Sequence, residues 1–180
     1  MKAIKSVLIL GSLIAAAVPG FAGVSPHETI NATIDGAKIT IVYGRPYTKS
    51  PRNGEMRKIW GGLVPYGKAW RTGADAATLL TTDQPLMIGD TTVPAGTYSL
   101  YSVPEESGPS KLVINKQTGQ WGTEYDKAQD LARVDMKKEK LDAPVHQFTM
   151  AVEKDPSGSG GIIKLMWEDT EYLVPFMVKK

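Results

Sequence analysis

From Ile30 to Val178 apolar residues recur at every second position in one short run after another, and Gly, Pro, Asn or Asp bounds each run. A period of two puts one side of an extended chain on a core and the other in water, so the pattern predicts antiparallel β-strands. The first pair is Ile30 to Ile34 and Lys38 to Tyr43 around Asp35-Gly36. Asp-Gly accepts the positive φ that a two-residue hairpin turn demands. Further strands are expected at Ala77 to Thr82, Pro85 to Ile88, Gly96 to Val103, Lys111 to Asn115, Val145 to Val152, Ile162 to Trp167 and Tyr172 to Val178. Short strands with frequent turns predict an all-β fold, a single antiparallel β-sandwich of jelly-roll type. Within the Gly96 to Val103 run, Tyr98 shares a face with Leu100 and Ser102, and Tyr101 falls on the other face. Helix signals are sparse: Asp126 to Val134, with Ala128, Leu131 and Ala132 on one side, is the one short helix the pattern allows. Asp155 to Gly161 reads as a hairpin tip, and Glu168, Asp169 and Glu171 as an acidic turn between the last two strands.

The first residues break this pattern. Lys2 and Lys5 precede an apolar run from Val7 to Val18, followed by the small residues Gly20 and Ala22. That order is a secretory signal peptide, and the run falls short of the roughly 20 residues a bilayer span requires. Cleavage after Ala22 would leave residues 23–180 as one β-sandwich domain in the periplasm or outside the cell, with no membrane span. The two lysines account for the whole formal charge of +2, so the mature chain is neutral and general attraction to nucleic acid is not expected. With no cysteine, the fold must stand without disulfides, and no thiol is present for lipid attachment.

One interval stands apart. Gly44 to Asp75 has poor strand patterning yet carries Tyr47, Ile59, Trp60, Leu63, Val64, Tyr66 and Trp70, too much apolar area for a disordered loop. Its charge is skewed: Arg45, Lys49, Arg52, Arg57, Lys58, Lys68 and Arg71 face the single acid Glu55. Guanidinium groups make the planar two-pronged contacts that suit carboxylate and phosphate. Arg57, Trp60, Tyr66, Trp70, Arg71, Asp75 and, beyond the loop, Trp121 are therefore the candidate ligand-binding residues, for an anionic small molecule, a glycan or an envelope partner. The competing reading spends Arg57 and Arg71 internally, on carbonyls, on Asp75 or Glu168, or stacked on Trp60 and Trp70. Arg45, Lys49 and Arg52 read as a solvated loop face.

Other chemistry is thin. Of the two histidines, His27 falls in a segment expected to be mobile and His146 follows Pro144 at a strand start. This set cannot build a zinc site of ordinary spacing, and no Gly-x-Ser-x-Gly elbow accompanies it. No metal and no cofactor is expected. The alternative functional reading is a hydrolase using carboxylates such as Asp75 or Glu168 beside an arginine, which requires two titratable groups converging in one pocket. A third is a structural envelope domain whose loop is merely clasped to the sandwich.

Taken in order, Gly44-Arg45-Pro46, Met56 to Gly67 (MRKIWGGLVPYG), Trp70 to Asp75 (WRTGAD), Ala95 to Leu100, Asn115-Lys116, Gln120-Trp121-Gly122 and Trp167-Glu168 resemble a secreted bacterial family known as domain of unknown function 2911. The resemblance runs from about Ile39 to Val178. It implies a small, mostly β, exported domain with the Gly61 to Gly73 stretch as signature, and it marks Arg57, Trp60, Tyr66, Trp70 and Arg71 as a set without assigning them an activity. Members of the family often carry asparagine where this chain has Asp75, a change that makes the position a potential partner for Arg71.

Overall fold

The computed structural model describes residues 25–179. The expected signal peptide, residues 1–22, lies outside them. The protein is all-β, with nine antiparallel strands in one continuous sheet: β1 (His27–Ile34), β2 (Ala37–Gly44), β3 (Thr78–Thr82), β4 (Leu86–Ile88), β5 (Thr91–Val93), β6 (Gly96–Val103), β7 (Ser110–Asn115), β8 (Asp130–Lys154) and β9 (Gly161–Val178). Their spatial order is β1-β2-β3-β6-β7-β8-β9-β4-β5. The short β4–β5 hairpin leaves β3 and joins the sheet beyond β9, pairing Leu86 with Val178.

The sandwich arises because this one sheet folds over on itself. β8, 25 residues long, pairs with β7 through its first part and with β9 through the rest, so it belongs to both layers. The far side of the sheet returns to meet it. The Met150 N–H donates to the Tyr43 hydroxyl (2.9 Å), and the Asp35 turn of the first hairpin accepts the Gly160 N–H at the tip of the last (2.7 Å). Between the layers Ile39, Ile41, Leu80, Leu100, Ile163 and Trp167 form one core with no more than 1% exposure each. Each comes from the alternating face that the period of two predicts, which is how a half-buried antiparallel sheet is specified.

Three local expectations are corrected. Asp126 to Val134 is not a helix: a single 3-10 turn at Lys127–Gln129 leads directly into β8. Asn115 stops any helical continuation by donating to the Asp126 carbonyl and the Asp130 carboxylate (2.8 Å each), and Ala132 and Val134 then alternate inward against Ile114 and Leu112. Glu168, Asp169 and Glu171 are not a turn but lie within the continuous β9; Glu168 is left-handed (φ 53°), and the irregularity opposite it is taken up by β8, whose residues between Lys140 and Thr149 bulge out. Tyr98 and Tyr101 take opposite faces as expected, but both are buried. Tyr101 sits in a small second core with Ala77, Val103 and Val113, against which Tyr125 packs.

Candidate functional site

Gly44 to Asp75 is an ordered loop with its two ends in contact. A Cβ on Gly44 would lie 2.4 Å from the Ala74 carbonyl oxygen, so only glycine allows the neck to close; the ends meet as in an Ω-loop, in a loop longer than the roughly 6–16 residues of that class. The return limb is tied to β6 by a reciprocal pair of bonds between Trp70 and Ser102 (2.8 Å each) and by the Gly67 N–H to Pro104 (2.9 Å). The middle is a compact turn in which Leu63 and Val64 donate to the carbonyls of Lys58 and Ile59 (2.9 Å each).

Aromatic packing fixes the loop from inside. Trp70 stacks on Trp167 (centroids 5.8 Å, planes 23° apart) and meets Phe148 edge-on at 5.0 Å, while Trp60 meets Trp70, Trp167 and Tyr172 edge-on at 5.3–6.4 Å. Such ring pairs contribute about 0.5–1.5 kcal/mol each beyond the area they bury. The Trp60 indole N–H donates to the Trp167 carbonyl (3.3 Å). Trp167 in turn donates to the Thr48 hydroxyl (3.1 Å), and the Thr48 hydroxyl donates a hydrogen bond to the Glu168 carboxylate, which the His146 imidazole also contacts (3.3 Å).

Strain is concentrated just beyond Arg71. Thr72 (φ 50°) and Asp75 (φ 66°) are both left-handed, and Thr72 is β-branched and fully buried. Thr72 is held there by a bond between its hydroxyl and that of Ser102 (2.7 Å) and by the Thr78 hydroxyl on its carbonyl (2.7 Å). Such strain persists only where the surroundings enforce it, and it gathers at functional sites. Asparagine and aspartate are the residues that tolerate this backbone at position 75, a physical account of the choice between them.

These constraints shape a cavity of about 500 Å³. Trp70, Trp167 and Tyr47 give it ring surface, and Arg52, Arg57, Arg71 and Asp75 give it charge. Ser25 and Pro26, from the start of the described chain, complete one side. The charges are not equally available. Asp75 accepts the Ser25 N–H (3.2 Å) and lies 3.2 Å from His27 Nε2. Arg57 spends two N–H groups on the carbonyls of Thr48 (3.3 Å) and Tyr47, and burial pulls its guanidinium below the ordinary arginine range. Arg71 makes no hydrogen bond or ion pair to any described residue. Its stem rests on Gly122, where a Cβ would fall 2.2 Å from the Arg71 Cδ. The cavity's one carboxylate is thus already engaged, while the guanidinium of Arg71 is uncommitted.

The structure brings four of the seven candidate residues together here: Arg57, Trp70, Arg71 and Asp75. Trp60 and Tyr66 line a different cavity, and Trp121 is 52% exposed and lines neither. Several expectations change. Arg71 is not paired with Asp75 or Glu168. His27 is not in a loose segment but begins β1 and reaches Asp75. Arg45 is not a solvated loop residue: it bonds the Phe148 carbonyl (3.1 Å) and the Thr149 hydroxyl (2.7 Å) and pairs with Glu28 (3.2 Å). Glu168 does not line the arginine cavity, so the two convergent carboxylates that a hydrolase would need there are not met by Asp75 and Glu168. Among the described residues no three His, Asp or Glu side chains gather as a metal site. Reasoning from sequence missed Tyr47 and Trp167 as walls. Trp167 carries no signal beyond strand alternation, whereas Tyr47, lying between arginines, was readable.

No curated protein and no solved structure matches the chain. A family model described as "Protein of unknown function (DUF2911)" matches residues 25–176, nearly all of the described chain and the whole of this cavity. The chain therefore belongs to the DUF2911 family.

Proposed function

We propose that the protein is an exported, periplasmic or secreted, non-enzymatic binding module that takes an anionic small molecule in the cavity between the Ω-loop and the sandwich. Export rests on the N-terminal sequence, with its two lysines, short apolar run and small residues before Ala22. The single observation that carries the binding reading is Arg71: it lines the cavity and makes no hydrogen bond or ion pair with a described residue, while Asp75, the carboxylate that would neutralise it, is engaged by Ser25 and His27. Arg57 is pre-oriented by its two carbonyl bonds and has further N–H groups to offer. A carboxylate or phosphate held between Arg57 and Arg71, its carbon skeleton against Trp70 and Tyr47, uses each of these features. The aromatic packing already holds the loop, so binding entails little ordering cost.

A thermal-shift screen of the mature protein against carboxylate- and phosphate-bearing small molecules at low salt tests this reading. A ligand at a hundred times its dissociation constant stabilises by about 2.7 kcal/mol. A shift in the wild type that vanishes in a folded Arg71→Ala variant supports the proposal; shifts that are unaffected by this variant refute it.

A further inference from the structure

The inward face of β8 runs through Ala132, Val134 and Met136, all buried, and the next two positions on that face are Lys138 and Lys140. No register shift intervenes: Lys138 stands opposite Tyr172 and Lys140 opposite Thr170, and both of those partners are buried. Both lysines are exposed, so the core ends at Met136 and two ammonium groups stand at its edge. Their pairing with protein acids is also absent: Glu139 is taken by Lys137 (2.7 Å), and neither Lys138 nor Lys140 forms an ion pair with a described residue.

A cavity of about 430 Å³ opens at this point, with Trp60 and Tyr66 on one wall and Lys138, Lys140 and Thr170 on the other. It shares no lining residue with the arginine cavity. Trp60 has already spent its indole N–H on Trp167, so what it presents is ring surface. Tyr66 is seated over Gly61, where a Cβ would lie 2.7 Å from the tyrosine ring. Glu139 and Asp169 also line the opening and supply acceptors, and Asp169 is oriented by the Thr170 hydroxyl (3.1 Å). Lysines along an unpaired strand edge can simply discourage edge-to-edge association. These two are exposed, but they differ in standing at the mouth of an aromatic-walled cavity, on the same face as the buried Tyr172 and Thr170.

Ring surface, paired ammonium groups and flanking acceptors match a ligand that is cyclic, anionic and rich in hydroxyls. We propose that this cavity is a second binding site, which takes an acidic saccharide: the sugar ring against Trp60 and Tyr66, its carboxylate at Lys138 and Lys140, and its hydroxyls on Glu139, Asp169 and Thr170. The site does not depend on the arginine cavity being a binding site.

Calorimetric titration with a galacturonate trisaccharide at low salt tests the assignment, using the mature wild type, the Lys138→Ala/Lys140→Ala double variant and Arg71→Ala. A neutral galactose trisaccharide serves as the comparison ligand, and denaturant melts establish that each variant is folded. The proposal predicts binding to the wild type and to Arg71→Ala, at least tenfold weaker binding to the double variant, and at least tenfold weaker binding of the neutral sugar. It is overturned if the wild type does not bind the acidic sugar, if the double variant binds it equally well, or if the neutral sugar binds equally. Loss of binding in Arg71→Ala alone would place the saccharide in the arginine cavity and overturn it as well.

Discussion

Asp75 Oδ2 lies 3.2 Å from His27 Nε2, a contact that spans 48 residues and draws the start of β1 onto the end of the Ω-loop. Arg71, four positions away from Asp75 in sequence, is left without a hydrogen bond or ion pair to any described residue. That asymmetry gives the arginine cavity its positive character, and it has a direct consequence. Asp75→Asn keeps a residue that accepts the left-handed backbone and can still take the Ser25 N–H, but it removes the negative charge. Affinity for an anion in the cavity should rise by about three- to tenfold at low salt and less at high salt, as Coulomb attraction at an effective dielectric near that of a protein surface dictates. Titration of both proteins with the same anion across a salt series checks this.

Trp70 packs against Trp60, Phe148 and Trp167 at once, so Trp70→Ala removes the centre of the aromatic cluster. It should cost about 3–5 kcal/mol in a urea melt, in the range of other large aromatic truncations. Trp70→Phe should retain part of this.

Thr48 stands 1% exposed between the Trp167 indole and the Glu168 carboxylate. Thr48→Val keeps the shape and deletes the hydroxyl, leaving the indole N–H of a fully buried tryptophan unsatisfied. The expected loss is about 1–3 kcal/mol, and Thr48→Ser should lose less, because it restores the hydroxyl. Equilibrium unfolding of the two variants side by side separates the hydrogen bond from the packing.

Burial raises the hydroxyl pKa of Tyr43, Tyr98, Tyr101 and Tyr172 above the ordinary 10.0, and burial together with Asp130 pushes Tyr125 up to about 12. An acid whose folded pKa is raised favours the folded state below its unfolded value and disfavours it above. Stability should therefore be level up to about pH 10 and fall from there through pH 12. Ultraviolet titration should show these hydroxyls ionising late and together with unfolding. Tyr125→Phe should make the alkaline fall in stability shallower.

Most of the sheet was legible because it obeys one rule, apolar residues at alternate positions between turn residues, and β1 to β4, β6 and β7 were found within a few residues. Alternation marks β8 only in its second half. Its first half mixes Ala132, Val134 and Met136 with a charge at every intervening position and then places Lys138 and Lys140 on the same face as those three, so the apolar signal dies midway along a real strand. Glu168 and Asp169 hide the continuity of β9 for a related reason: they sit opposite the irregular stretch of β8, where the usual alternation lapses, and polarity alone reads as a turn. At the candidate site, the length, rings and charge of the loop pointed to the correct region. What sequence could not supply was pairing across distance. His27 with Asp75, Arg45 with β8, and Trp167 as a wall all depend on the sheet folding over itself, and local pattern carries no trace of that.

The central claim, that Arg71 is available for a ligand and does not hold the fold, is tested most directly by one paired measurement on Arg71→Ala: its urea unfolding free energy, and its thermal shift across the carboxylate and phosphate panel. The account predicts a loss of stability under about 1 kcal/mol, since no hydrogen bond or ion pair to the described residues is removed, together with the disappearance of a shift that the wild type shows. A loss as large as that of Trp70→Ala, with no anion stabilising either protein, would contradict it and leave the loop as a structural clasp.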